Sequence, residues 1–215
     1  MAQFFQIHPT NPQERLLKQA SQLLAKGGVL AVPTDSSYAL VCQIDDTQAV
    51  QAMRRVKGID EKHLLSLMCP DLATLSNYAK VDNKQFRLLK SATPGPFTFI
   101  LEATKEVPKR VSHPQRKTIG LRVPDHVSLQ MLIAIHGSAL LGTTLVLGEQ
   151  GALNDPEEIR TQLEHQIAGV IDAGPTPMTQ TTVLDLTPMN HGLDPVLIRQ
   201  GAGSLSILGI SVAEN

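Results

Sequence analysis

Tryptophan is absent, and aromatic residues make up only 3% of the 215-residue chain. A core must therefore come from Leu, Ile, Val, Ala and Met, and a nucleic-acid platform built on base stacking is disfavoured. An excess of one charge sign is also missing. The formal net charge of −1 gives no global attraction to nucleic acid or to a membrane surface. No apolar stretch approaches the ~20 residues of a membrane span. The start, "MAQFFQIHPTNPQER", lacks the basic region and long apolar core of a signal peptide. Cysteine is limited to Cys42 and Cys69, both in apolar strand-like segments, which fits reduced core residues of a cytoplasmic protein. The seven histidines are scattered, with no HExxH and no Cys/His cluster, so no metal site is expected. There is no GxxxxGK[ST] phosphate loop and no GxSxG elbow, which argues against a P-loop NTPase and a serine hydrolase. "RQGAGS", residues 199 to 204, holds a GxG after a strand but is followed by no convincing helix.

What is present alternates. "AQFFQIH" looks like a first strand. "NPQERLLKQASQLLAKGG" predicts a helix capped by Asn11, with Pro12 in its first turn, Gly27 and Gly28 past its end, and Leu16, Leu17, Ala20, Leu23 and Leu24 inward. "DTQAVQAMRRVKG", "PDLATLSNYAK", "NKQFRLLKSA", "HVSLQMLIAIHG" and "DPEEIRTQLEHQI" predict further helices, the last capped by Asp155 with Pro156 next. "LLSLMC", "PFTFILEA", "KTIGLRVP", "SALLGTTLVL", "GVIDAG", "TTVLDLT" and "PVLIR" predict strands. Strands and helices interleave without strict alternation. The expectation is one α/β domain, a twisted mixed sheet flanked by helices, over residues 9–203. Residues 1–8 supply an N-terminal strand, and 204–215 a C-terminal appendage.

"VLAVPTDSSYALVCQIDD" raises a question of its own. An apolar run breaks into Pro33, Thr34, Asp35, Ser36, Ser37 and Tyr38, then turns apolar again. Similar polar insertions follow or interrupt other strands: "LRVP", "LGTTLV", "TTVLDL" and "LIRQG" place Arg or Thr in or beside a strand. In open α/β sheets ligands collect beyond strand ends, where Arg suits phosphate oxygens and hydroxyls add adjustable donors.

Taken together, "VPTDSSYAL", "VKGIDEKHLLSLM", "TPGPFTFIL", "TIGLRVP", "LLGTTL", "TTVLDLT" and "LIRQGAG" resemble, in order and spacing, the YrdC/YciO family. The start "AQFF", "KTIGLRVP" and "DPEEI" place the resemblance nearest the YciO branch. The resemblance implies a threonylcarbamoyl-AMP synthase-like enzyme, a nucleotidyltransferase acting on ATP with Mg²⁺, L-threonine and bicarbonate. A partner threonylcarbamoyl transferase would then modify tRNA. It implies that Thr34 and Tyr38 line a threonine pocket and that Lys57 and His63 sit near the reacting carbamate. Arg122 and Arg199 would hold phosphates, with Thr143 and Thr181 adding hydroxyl donors. Two departures stand out. Where the family has Lys-x-Arg the chain reads Lys57-Gly58-Ile59, and where it has Ser-x-Asn the chain reads Thr143-Thr144-Leu145. Losing a charged contact costs about 1.5–3 kcal/mol and an amide contact roughly 1 kcal/mol. Both losses in a transition state slow a reaction by about 10²–10³.

A second expectation therefore stands beside the first: a nucleotide- or double-stranded-RNA-binding relative without significant synthase activity. It draws on residues 104 to 117, where Lys105, Lys109, Arg110, Arg116 and Lys117 face one acid, Glu106, for a local net of +4.

Overall fold

A computed structural model describes residues 1–61, 63–108, 111, 117–147 and 151–214. Its frame is one mixed sheet of eleven strands: β1 (Gln3–Gln6), β2 (Leu30–Pro33), β3 (Tyr38–Gln43), β4 (Ser66–Met68), β5 (Phe97–Glu102), β6 (Thr118–Arg122), β7 (Leu140–Thr144), β8 (Gly169–Asp172), β9 (Thr182–Asp185), β10 (Val196–Arg199) and β11 (Ala213–Glu214). The spatial order is β1-β8-β2-β3-β7-β4-β6-β5-β9-β10-β11. Pairs β1/β8, β2/β8, β4/β6, β5/β9 and β10/β11 are parallel and the rest antiparallel. Six helices flank it: α1 (Glu14–Ala25), α2 (Thr47–Lys57), α3 (Leu72–Tyr78), α4 (Asn83–Ala92), α5 (Val127–His136) and α6 (Pro156–Leu163).

Local chemistry sets the helix ends. Asp46, Asp71, Asp82 and Asp155 each cap a helix by accepting backbone N–H groups, a contact worth about 1 kcal/mol. Gly58 and Gly137 close α2 and α5 at positive φ, a conformation that costs glycine nothing. The first helix departs from expectation. It starts at Glu14 with Gln13 at the cap position, because Asn11 is drawn into a preceding turn where His8 Nδ1 accepts the N–H groups of Thr10 and Asn11.

The two sheet faces are covered unequally. One carries the larger core. There Leu40, Leu67, Phe99, Leu121, Leu141 and Leu184 pack with α2, α3, α4 and α6 residues such as Met53, Leu75, Leu89 and Ile159. The other face carries a second cluster only at one end, where Phe5, Leu30, Val32, Val41 and Ile171 meet Leu17, Ala20 and Leu24 of α1 and Leu129, Leu132 and Ile133 of α5. Each such aliphatic side chain buried completely contributes about 1.5–3 kcal/mol. Cys42 and Cys69 lie free and buried in the larger core, their thiols pushed up to about 12 by burial. The last segment is packed against the body: Leu208 is buried, Leu205 lies on the core, and β11 extends the sheet beside β10. Among the described residues, no helix is long and apolar enough to cross a membrane.

Candidate functional site

Register carries one row of residues across the half-covered face. Leu30 pairs with Val41, Val41 with Gly142, Gly142 with Ser66, Ser66 with Gly120, and Gly120 with Ile100. Side chains two apart on a strand share a face, so Arg122 and Thr118 flank Gly120, and Thr98 flanks Ile100. Past β7, among the described residues, this face has no helix above it, and a cavity of ≈ 490 Å³ opens. Its floor is Ser66 and Met68 of β4, Thr118, Gly120 and Arg122 of β6, and Thr98 and Ile100 of β5, with Gly142 to Thr144 of β7 on one side. Thr181, Val183, Ile198 and Arg199 close the other side, and His63, Leu64, Leu65 and Val111 form the rim. Gly120 keeps the floor low: a Cβ there would come within 3.3 Å of both Ser66 Cβ and Thr98 Cγ2.

Arg122 is the deepest cation, with its side chain 4% exposed. Its Nη2 donates to Asp35 Oδ1 at 2.5 Å and reaches Ser36 Oγ at 3.4 Å. Burial works against the Arg122 charge and the Asp35 carboxylate works for it. A buried cation without such a partner would be strongly destabilising. Its Nε, also buried, has no hydrogen-bond partner. On the far wall Arg199 donates from Nε and Nη2 to the Thr181 carbonyl at 3.3 and 3.0 Å, and from Nη2 to Thr181 Oγ1 at 3.3 Å. Thr181 Oγ1 lies 2.9 Å from Thr98 Oγ1, so the hydroxyls and Arg199 form one chain along the wall.

The opening question about residues 33 to 38 resolves into a tight turn between β2 and β3. Thr34 Oγ1 donates to the Ser37 carbonyl at 2.6 Å and accepts from the N–H groups of Ser36 and Ser37. Tyr38 is fully buried, and its hydroxyl reaches the carbonyls of Ile171 and Gly174 at 3.1 and 3.0 Å. Burial, with Asp172 nearby, raises the Tyr38 pKa further. Neither Thr34 nor Tyr38 is part of the cavity lining; both hydroxyls are spent on backbone groups. The turn's contribution to the site is Asp35, which holds Arg122 and also accepts the Asp125 N–H at 3.0 Å.

Lys57, at the end of α2, also lies outside the lining. Its Nζ donates to the carbonyls of Thr144, which does line the cavity, and Val146, at 2.7 and 2.9 Å. Burial lowers the Lys57 pKa to about 8. His63 is on the rim, and burial together with Lys57 and Arg54 lowers its pKa, which favours a neutral ring. Arg54 fixes that loop by donating to the carbonyls of Asp60 and His63.

Arg122, Thr143, Thr181, Arg199 and His63 thus converge on one cavity. Lys105 and Lys117 are exposed, whereas Lys109, Arg110 and Arg116 lie outside the described residues. Sequence reading missed Ser66, Thr98 and Thr118. Their signal is the alternation itself: in "TIGLR" the odd positions are apolar and the even ones small, polar or charged. The two positions of departure differ. Leu145 is 0% exposed in the larger core, whereas Ile59 is half-buried against that core and lines a shallow surface hollow beside Arg54 and Arg55. "RQGAG" has no phosphate-loop geometry. A Cβ on Gly201 would lie 2.3 Å from the Gln180 carbonyl oxygen, and one on Gly203 would lie 2.5 Å from the Phe97 ring. Among the described residues no His, Cys, Asp and Glu side chains cluster to hold a metal ion.

Comparison with known proteins follows the same geometry. A family model, Sua5_yciO_yrdC, described as "Telomere recombination", matches residues 22–201. The chain is 47% identical over 206 residues to the Escherichia coli K12 protein YciO, covering 95% of this chain and 98% of that one. It is 34% identical over 159 residues to the threonylcarbamoyl-AMP synthase of Bos taurus, covering 74% of this chain and 56% of that longer one. The crystal structure of E. coli YciO superposes with a TM-score of 0.90 at 46% identity, covering 97% of this chain and all of that one. The structure of P. abyssi Sua5 complexed with L-threonine shares the fold, with a TM-score of 0.87 at 23% identity, covering 97% of this chain and 62% of that one.

Proposed function

This chain belongs to the Sua5/YciO/YrdC family, and from that premise we propose that it is an adenylate-forming enzyme of the threonylcarbamoyl-AMP synthase type. The reaction joins L-threonine, bicarbonate and ATP. The threonine amine and bicarbonate give a carbamate and water, a carbamate oxygen attacks the α-phosphorus, and pyrophosphate leaves. The observation that carries the reading is the buried, unpartnered Nε of Arg122 in the lining of the cavity. An unsatisfied buried donor costs about 1–3 kcal/mol, and an anionic ligand oxygen would remove that cost.

The residues divide the work as follows. Arg122, pre-oriented by Asp35, and Arg199, braced on Thr181, take phosphate oxygens, with Thr143 and Thr181 adding hydroxyl donors. The neutral ring of His63 takes the proton that threonine's ammonium group sheds to become the free amine, which then forms the carbamate. Lys57 adds positive charge from behind Thr144. Thr34 and Tyr38 act one step back, holding the turn that aims Asp35. Magnesium would arrive on the nucleotide phosphates. Most of the rate enhancement then comes from positioning and charge neutralisation. Threonine is what the P. abyssi relative is described with, and the synthase name belongs to the mammalian relatives. Their transfer to this chain is part of the proposal.

A second reading draws on the burial of Leu145. A leucine turned into the core leaves no amide at that edge of the cavity, which favours a member that binds nucleotide or double-stranded RNA with little synthase turnover. The deciding experiment follows AMP and pyrophosphate formation, and threonylcarbamoyl-adenylate by mass spectrometry. The synthase reading expects product dependent on both threonine and bicarbonate. Nucleotide binding without that dependence supports the second reading and sinks the first.

A further inference from the structure

A groove distinct from the catalytic cavity lies between α4 and the segment that leads into β10, with a volume of ≈ 430 Å³. Its walls are apolar, with Leu88, Met189, Leu193, Leu208 and Ile210 among them. Leu193 is 65% and Ile210 43% exposed, so the mouth of the groove is apolar. The adjoining helix α4 carries Lys84, Arg87 and Lys90, spaced three apart on one stripe, and no acidic residue. Lys84 and Arg87 line the groove. Among the described residues none of the three is ion-paired. Arg87 contacts only the Asn83 carbonyl, through Nε. Asp194 is the one acid in the lining and leaves the groove net positive. Between groove and cavity lies a further hollow of ≈ 480 Å³, which shares Leu193 with the groove lining and Thr118 with the cavity lining.

We propose that this groove docks a partner protein through an amphipathic helix whose apolar face enters the slot and whose acidic flank meets Lys84, Arg87 and Lys90. An apolar slot beside a one-signed stripe is the pattern of helix-in-groove recognition. The apolar walls choose protein over nucleic acid, because a phosphate backbone gains nothing from leucine and isoleucine.

The test uses the full chain and a synthetic peptide of roughly 18 residues, long enough to hold a helix. It carries Leu at i, i+3, i+4 and i+7, Glu on one flank only and Ala elsewhere, alongside a scrambled peptide of the same composition and a short RNA duplex. Fluorescence anisotropy reads binding. The helical peptide should bind and the scrambled one should not. Leu193→Glu should weaken binding at least ~10-fold, as loss of a central apolar anchor does. Lys84→Glu with Arg87→Glu should weaken it by about the same factor and flatten its salt dependence, whereas Lys84→Arg alone, which conserves the charge, should keep wild-type affinity. All these positions are exposed, so thermal melting should not move, and ligand affinity at the cavity should stay unchanged. Equal binding of the scrambled peptide, indifference to Leu193→Glu, or duplex binding lost on charge reversal while the peptide is unaffected would each overturn the proposal.

Discussion

Across β1, β8, β2 and β3 one face of the sheet presents Phe5, Ile171, Leu30 and Val41 to α1 and α5. Across β4, β6 and β5 the same face presents Ser66, Gly120, Arg122 and Thr98 to open space. The backbone is continuous and the register unbroken, so the difference lies in what stands above. Where a helix pair covers the sheet, aliphatic side chains recover the cost of ordering it. Where nothing does, a wholly aliphatic face would expose a large apolar patch, and the sequence instead sets glycine, hydroxyls and one neutralised cation beside Met68 and Ile100. The covered half is a core, and the open half has the mixed lining that the proposed function requires.

The most damaging way to test that division is at the boundary. Asp35→Ala leaves Arg122 buried and unpaired, and should cost about 3–5 kcal/mol by urea unfolding. Pairing it with Arg122→Met should recover most of the loss, since no charge is then stranded, while nucleotide binding stays abolished. Recovery of binding in the double variant would show that Arg122 serves stability alone. In the covered half, Leu132→Ala should cost about 2–5 kcal/mol, or several degrees of Tm at about 2–4 °C per kcal/mol for a chain of this size. Affinity per folded molecule should be unchanged. A shift in affinity would mean that the two halves are mechanically coupled.

The covered half was the legible one. Period-3.6 leucines in "ERLLKQASQLLA" and the apolar runs of β2, β3 and β8 announce burial on their own terms. The one miss there, the start of α1, came from His8 competing for the Asn11 backbone. The open half was only partly legible. Arg122, Thr143, Thr181 and Arg199 stand out as polar residues in strands, but Thr34 and Tyr38 look identical in sequence and serve the fold. The distinction depends on whether a nearby carbonyl takes the hydroxyl, as those of Ser37, Ile171 and Gly174 do here. Such partners come from up to 136 residues away, beyond the reach of local pattern.

The departure at Leu145 sharpens the comparison from the core side. Leu145→Asn would place an amide in the larger core, where its burial costs about 1–3 kcal/mol. The expected outcome is lower stability with no gain in adenylate formation. A gain would mean that the β7 end can rotate toward the cavity. In the open half the sign reverses. Thr98→Val removes one hydroxyl from the wall, should leave stability within about 1 kcal/mol, and should weaken nucleotide or threonine binding by roughly 5–10-fold. Calorimetric titration beside thermal melting checks both.

Lys57 provides the smallest effect, and one in which stability and binding move in opposite directions. Its pKa is lowered from 10.5 to about 8 by burial. Below pH 8 it is charged in both folded and unfolded chains, so the burial penalty is fully present. Between about 8 and 10.5 the folded chain has released this proton and the unfolded chain has not, so stability rises with pH across that window. Anion binding should do the reverse, losing less than ~10-fold as the charge beside Thr144 disappears through pH 8. Measured against Lys57→Met, which should flatten both profiles, the two curves separate roles that a single activity assay would merge. A Lys57→Met variant that keeps the wild-type pH dependence of binding would move that titration to a group other than Lys57, and other than His63, whose lowered pKa puts its titration below that window.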